Sequence, residues 1–353
     1  MARLRYKHQP TTAEIAQRFG LRENDVVRFD HNTSPYATDW APGVVGPMAR
    51  HLNEYPSASY SALREAAAAY LGTDVAGIVP GAGIDEIILV IARAFLGEGT
   101  RACTVVPTYP LYEIASLQTG SEFIAVPAEP PSFGWPARAI GEAAETSDVT
   151  WLCTPNNPSG NNIPNAELAA ILGAARGVVV VDAAYAEFAG DVWAPWVEKH
   201  ENLIVCHTMS KAFGLAALRV GFAMTSPRLA EVLDAVRPPG SISSMSAQLA
   251  EVSLSEPQRM RRRVARLERE RGRITERLQT FGFGVMPSHA NFVLCEAGER
   301  SPAIAEALVR QGMVVRSYPA TGPLGHFLRI TVRSPEENDR LLVALDRITA
   351  SGV

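Results

Sequence analysis

Lysine is scarce in this chain, and one of its three lysines sits where an amine could react. Against thirty arginines there are only Lys7, Lys199 and Lys211. Lys7 falls at a terminus of the kind that is often loosely held. Lys199 stands in the polar run Glu198-Lys199-His200-Glu201, which reads as a solvated loop. Lys211 differs from both. It follows an apolar stretch, Leu203-Ile204-Val205-Cys206, that reads as a short buried strand, and its neighbours Ser210, Ala212, Phe213 and Gly214 are small or apolar. Burial in such surroundings lowers a lysine's pKa and frees a neutral amine for Schiff-base chemistry. A structural lysine closing a helix end would keep the same neighbours, so other residues have to decide.

Several of those residues stand at the ends of other apolar runs. Gly177-Val178-Val179-Val180-Val181-Asp182 reads as a strand buried on both faces that stops on a carboxylate. Asp182 is either a turn residue or a functional acid at the carboxyl edge of a sheet, where open α/β sheets bind ligands. Val149–Cys153 is a strand that ends in Thr154-Pro155-Asn156-Asn157-Pro158-Ser159-Gly160, a rigid loop or an ordinary turn. Gly77–Pro80 leads through Gly81-Ala82-Gly83-Ile84-Asp85 into a helix reaching Phe95. That junction can offer free N–H groups to a phosphate, or it can be a plain tight turn. Cys103–Val106 ends at Tyr109. Together, Lys211 (imine former), Asp182 (acid), Asn157 (amide donor), Tyr109 (aromatic) and Asp85, Ser210 and Arg219 (phosphate end) make the inventory that holds pyridoxal phosphate.

The elements that must position these groups follow from periodicity. Strands and helices alternate from about residue 44 to 225, which predicts a mostly parallel sheet between helices. A helix is expected from Thr11-Thr12-Ala13-Glu14 to Gly20, and another from Ser61 to Leu71, stopping at Gly72. Val26–Asp30 and Phe123–Pro127 read as strands. After Val236-Arg237-Pro238-Pro239-Gly240 a long helical region begins. In it Met260, Val264, Leu267 and Ile274 form one apolar stripe, and the arginines interleaved with glutamates read as a solvated face. Strands at Asn291–Cys295 and Phe327–Val332, with a helix around 302–311, complete an α+β piece. The expected division is 41–237 for a large α/β domain, and 1–40 with 238–353 for a small α+β domain.

Composition narrows the function. At 353 residues with 47% apolar content the chain can bury a large core, and a net charge of −4 gives no field for nucleic acid or membranes. Met1–His8 has no apolar core after its basic residues, so it is not expected to act as a secretory signal, and no apolar run approaches transmembrane length. Cys103, Cys153, Cys206 and Cys295 are widely spaced within apolar runs. This predicts free thiols in a reducing compartment, the cytoplasm, with no disulfide framework and no metal site.

Across residues 12–347 the sequence resembles the histidinol-phosphate aminotransferase branch of the class I/II, fold-type I aminotransferases. Ser210-Lys211-Ala212-Phe213-Gly214-Leu215 followed by Leu218-Arg219-Val220-Gly221 looks like that family's Schiff-base motif. Thr154–Gly160 looks like its Asn-Pro-Asn-Asn-Pro-Thr-Gly loop. The resemblance implies a large domain with a mostly parallel seven-stranded sheet, a small α+β domain, and pyridoxal 5'-phosphate as cofactor. It implies that Lys211 holds the cofactor and that Asp182 pairs with its ring nitrogen. Asn157 and Tyr185 would bond its phenolate oxygen, and Tyr109 would stack on the ring. Ile84 (through its N–H), Asp85, Ser210 and Arg219 would hold its phosphate. Tyr55 would reach the phosphate of the neighbouring subunit, implying a homodimer. Arg329 would grip a substrate carboxylate and Arg316 a substrate phosphate, with Asn32 beside the substrate. The implied partners are an amino donor and a 2-oxo acid acceptor in a ping-pong cycle.

The chain departs from the family at Asn32-Thr33-Ser34-Pro35, at Asp182-Ala183-Ala184-Tyr185 and around Pro238–Ser243. Two of these loops adjoin the substrate in the family, which keeps other chemistry on the same scaffold open: decarboxylation, elimination or cyclisation. A non-catalytic binding protein is opposed by the intact lysine, aspartate and arginines. A nucleotide-binding doubly wound enzyme would need a fuller glycine pattern than Gly81-Ala82-Gly83.

Overall fold

A computed structural model describes Tyr6 and residues 8–351, so the expectation for Lys7 lies outside the described residues. The first helix, Thr12–Phe19, begins and ends as its sequence dictates. Thr11 accepts from the Glu14 N–H while the Glu14 carboxylate accepts from Thr11, and Gly20 closes the helix in the left-handed conformation. The strand expected at Val26–Asp30 shortens to Val27–Arg28 (β1). Among the described residues it has one partner, a parallel one at Met313–Val314 in the C-terminal part, so pairing stops where that partner ends.

The central sheet has seven strands: Ile78–Gly81 (β2), Arg101–Val106 (β3), Glu122–Pro127 (β4), Val149–Cys153 (β5), Val178–Asp182 (β6), Leu203–Thr208 (β7) and Gly221–Thr225 (β8). Their order is β2-β8-β7-β6-β5-β3-β4, and every pairing is parallel except the two made by β8. β5, β6, β7 and β8 are buried along their whole length, which their unbroken apolar runs require of a sheet covered on both faces. The carboxyl ends of β5, β6 and β7 therefore come side by side, carrying Cys153, Asp182 and Thr208.

A second sheet is antiparallel. Gly284–Val285 (β9), Phe292–Glu296 (β10), Met313–Val314 (β11), Arg316–Ser317 (β12) and Phe327–Thr331 (β13) follow in sequence, and β12-β13-β10-β9 form the sheet while β11 pairs with β1. The long helical region is two helices, Ser244–Ser255 and Pro257–Thr280, divided at Pro257, which sits at the first turn of the second. Met260, Val264, Leu267 and Ile274 are buried as one stripe. Arg271, on the same side, donates to the Ala290 carbonyl at 2.7 Å. Lys199 is exposed, but it is the last residue of the helix Ala194–Lys199 and not part of a loop, because Trp193 and Val197 anchor that turn in the core. The C-terminal helix Pro335–Ala350 was not expected from periodicity, although Ser334 and Glu337 form a capping box at its start.

Among the described residues no helix is long and apolar enough to cross a membrane. All four cysteines are free and buried.

Candidate active site

Gly221, the first residue of β8, shows how tightly the elements converge. A Cβ here would meet the His207 carbonyl at 2.8 Å and the Gly83–Ile84 peptide at 3.0 Å, all backbone atoms. Its bareness lets the start of the helix Gly83–Phe95 close on β7. Gly221→Ala is expected to cost about 2 kcal/mol or more, read as a lower midpoint in urea unfolding. An unchanged midpoint would mean that this approach is loose.

At the carboxyl edge of the sheet lies a cavity of about 170 Å³. Nine of the residues expected at the site line it: Ile84, Asp85, Tyr109, Asn157, Asp182, Tyr185, Ser210, Lys211 and Arg219. Burial lowers Lys211 to about 8, and Arg329 nearby pushes in the same direction. Its ammonium nitrogen lies 6.0 Å from the centre of the Tyr185 ring. Acylation of Lys211 in the ligand-free protein is therefore expected to rise about tenfold per pH unit up to about 8 and then level, where an ordinary lysine climbs to about 10.4. A curve still rising above about pH 9 would exclude this environment.

Asp182 is 5% exposed. Burial raises its carboxyl to about 6, against the pull of two donors: Tyr112 Oη at 2.5 Å and the Ala184 N–H at 3.1 Å. The sequence had not singled out Tyr112. It is fully enclosed, stacks on Trp151 with ring centres 5.6 Å apart, and carries Asp182 on its hydroxyl. Its signal was a tyrosine on the apolar face of the short helix Leu111–Gln118, which does not by itself announce contact with β6.

The phosphate-type residues sit at the start of the helix Gly83–Phe95. Arg219, in the left-handed conformation, reaches Asp85 at 2.8 Å, and Tyr109 Oη donates to the other Asp85 oxygen at 2.9 Å. The Asp85 carboxylate cannot donate, so its only contribution to an anion is its N–H, beside that of Ile84, at a helix N-terminus. The Ser210 Oγ, also at this end, meets Thr208 Oγ1 at 3.0 Å.

Residues outside the cavity wall hold those within it. Asn32 donates to Tyr185 Oη at 3.0 Å, and its own carbonyl accepts from Asn291 at 3.0 Å. Arg329, 9% exposed, donates to Asn157 Oδ1 and to the Asp30 carbonyl, each at 2.5 Å, and its Nε is buried without a partner. Arg316 stands opposite Arg329 in the β12–β13 register and lies over the Tyr318 ring at 5.6 Å, away from the cavity wall. Tyr55 is 98% exposed and takes no part in this chain's own cavity.

The model of one protein family, aminotransferase class I and II, matches residues 21–345. A histidinol-phosphate aminotransferase of Caldanaerobacter subterraneus is 36% identical over 84% of this chain and 85% of its own length. A histidinol-phosphate aminotransferase 2 of Archaeoglobus fulgidus is 34% identical over 92% and 94%. The crystal structure of histidinol-phosphate aminotransferase from Sinorhizobium meliloti, in complex with pyridoxal-5'-phosphate, superposes with a TM-score of 0.88. It covers 99% of this chain and 97% of that one at 25% identity.

Proposed function

Since the chain belongs to the aminotransferase class I and II family, we propose that it transfers an amino group from an amino donor to a 2-oxo acid with pyridoxal 5'-phosphate. The observation that carries this reading is one cavity holding both a lysine lowered to about 8 and a buried carboxylate. The donor set suits the cofactor: an amine, an acid for a ring nitrogen, an amide and a phenol for a ring oxygen, and N–H groups with a guanidinium for a phosphate.

When bound, pyridoxal phosphate acts as an electron sink for the substrate's reacting carbon. The chain's residues do the rest. Lys211 Nζ would hold the cofactor and would serve as the base for the proton on the reacting carbon. Asp182, steadied by Tyr112, holds a proton on the ring nitrogen. Asn157 and Tyr185 orient the phenolate oxygen and Tyr109 covers the ring. The Ile84 and Asp85 N–H groups, Ser210 and Arg219 take the phosphate. Arg329 would bind a carboxylate through N–H groups not used on Asn157 and Asp30, the partnerless Nε among them. Arg316 and Arg329 are directly opposed on one face of the second sheet, an arrangement that favours an anion between them. This supports a donor with a second anionic group, such as histidinol phosphate.

The helix Ala41–Met48 has an apolar sequence and no buried residue, and Leu52 and Tyr55 beyond it are exposed. An uncovered apolar stretch of this kind supports a homodimer in which Tyr55 completes the partner's phosphate site. Sedimentation should then give twice the 38.0 kDa chain mass. A monomer at micromolar concentration would rule this out. Four buried free thiols support the cytoplasm as the compartment. We assign 41–237 to a large domain and 1–40 with 238–353 to a small one, supported by the separate sheets. The helix Ser244–Ser255, which packs on Ser61–Leu71 and Ala41–Met48, bridges the two.

The test is a half-reaction screen. The cofactor-loaded enzyme is mixed with single amino donors, histidinol phosphate among them, and the cofactor's absorbance is followed. Bleaching that a 2-oxo acid reverses identifies transamination and the donor. Product formed without bleaching by any donor would overturn it.

A further inference from the structure

A second cavity lies behind the one that holds Lys211. Its volume is about 540 Å³, and the two share no lining residue. Strand alternation separates them: Thr208 faces the first, and His207, its neighbour on β7, faces the second. The remaining walls are the end of the helix Ser61–Leu71, the segment after Tyr185 and the helix Pro257–Thr280.

This cavity collects side chains whose polar atoms have few or no partners among the described residues. Neither ring nitrogen of His207 has a partner, and neither does the indole N–H of Trp193, although both side chains are more than nine-tenths buried. Burial pushes His207 down to about 4, so its ring is neutral, with one nitrogen donating and one accepting. Glu187 meets only Tyr70 Oη, at 3.5 Å, and its own backbone N–H, and burial raises its carboxyl to about 7. Buried groups of this kind are costly to leave bare, and they call for a bound molecule or for ordered water.

The wall chemistry says which kind of molecule. Glu187, Asp191 and Glu268 are the acids, and Arg261 is the one cationic side chain among the lining residues, His207 being neutral. Tyr70, Phe188 and Trp193 add aromatic surface. Carboxylates beside aromatic rings form a setting for organic cations. The indole N–H and the imidazole need, in addition, a group that both accepts and donates.

We propose that this cavity is a binding site for a small organic cation bearing a hydroxyl group, with the cationic end between Glu187 and the rings and the hydroxyl on Trp193 and His207. It is an effector site, separate from the site of chemistry. Phe213, two residues after Lys211, packs edge-on against Tyr70 with ring centres 5.3 Å apart, so the wall of this cavity touches the loop that carries the lysine.

Choline is a suitable probe, because its quaternary nitrogen cannot condense with the cofactor. Titration calorimetry of the holoenzyme should show one saturable site per chain. Choline should bind at least about tenfold more tightly than 3,3-dimethylbutan-1-ol, its uncharged isostere. Glu187→Gln should weaken choline about tenfold, and Trp193→Phe, which removes only the N–H, a few-fold. The second variant serves if the first does not fold. Absence of saturable choline binding, equal affinity for the uncharged isostere, or competition between choline and the amino donor would each overturn the assignment. The first of these would leave the cavity to water.

Discussion

Lys211→Ala is expected to lower kcat for amino transfer by about 10⁴-fold or more. Loss of a positioned base alone accounts for about 10² to 10⁴, and loss of the covalent hold adds to it. Lys211 is the one lysine in the cavity wall, and its amine, lowered to about 8, is neutral in a useful fraction near neutral pH. The other residues proposed to hold the cofactor are unchanged, so the variant should still bind pyridoxal phosphate, reversibly. Borohydride treatment and peptide mapping separate the two roles. The native enzyme should retain the cofactor on the Lys211 peptide, and the variant should retain it nowhere. A variant within about tenfold of native turnover would remove Lys211 from the chemistry.

Asp182→Asn should follow, with kcat lower by about 10³-fold, in the range seen when one buried charge-stabilising group is lost. Asparagine keeps the size and can still accept from Ala184, so the fold should survive. The sign of the pH dependence is set by the carboxyl at about 6: it is charged above that value and neutral below. In the cofactor-free protein, affinity for the cofactor tied to this carboxylate is expected above about pH 6 and is lost as pH falls through it. Tyr112 bonds to the charged form and so holds the value down. Tyr112→Phe should move the acid limb of cofactor binding to the cofactor-free protein upward by about one to two pH units, since hydrogen bonds to charged groups contribute about 1.5–3 kcal/mol. An unmoved limb would assign the titration to another group.

The reasons that Asp182 could be read and Tyr112 could not are physical. Asp182 ends an unbroken apolar run, and a carboxylate at the end of a doubly buried strand is visible in one dimension. Tyr112 meets it from seventy positions away, across β3 and β5, through a packing of helix on sheet that no local pattern encodes. The same holds for Asn32. Its loop was noticed for its residue types, but its bond to Tyr185 exists only because β1 and β11 bring the N-terminal segment against the second sheet. Arg271 could be placed on the apolar stripe of its helix, yet the carbonyl it reaches, that of Ala290, had to be found in three dimensions.

By itself the sequence determined what short-range forces decide. It set the caps of Thr12–Phe19, the ends of the buried strands, the scarcity of lysine that isolates Lys211, and, through motif resemblance, the family. Strand periods and caps act over a few residues, so they survive in one dimension. The tertiary structure alone decided the sheet order, with β8 inserted antiparallel between β2 and β7, and hence which strand ends meet. It also decided that Thr208 and His207, adjacent in the chain, open into different cavities, and that Tyr55 stands out from its own chain. Those outcomes depend on contacts between segments far apart in sequence, whose energies come from shared burial and complementary shape.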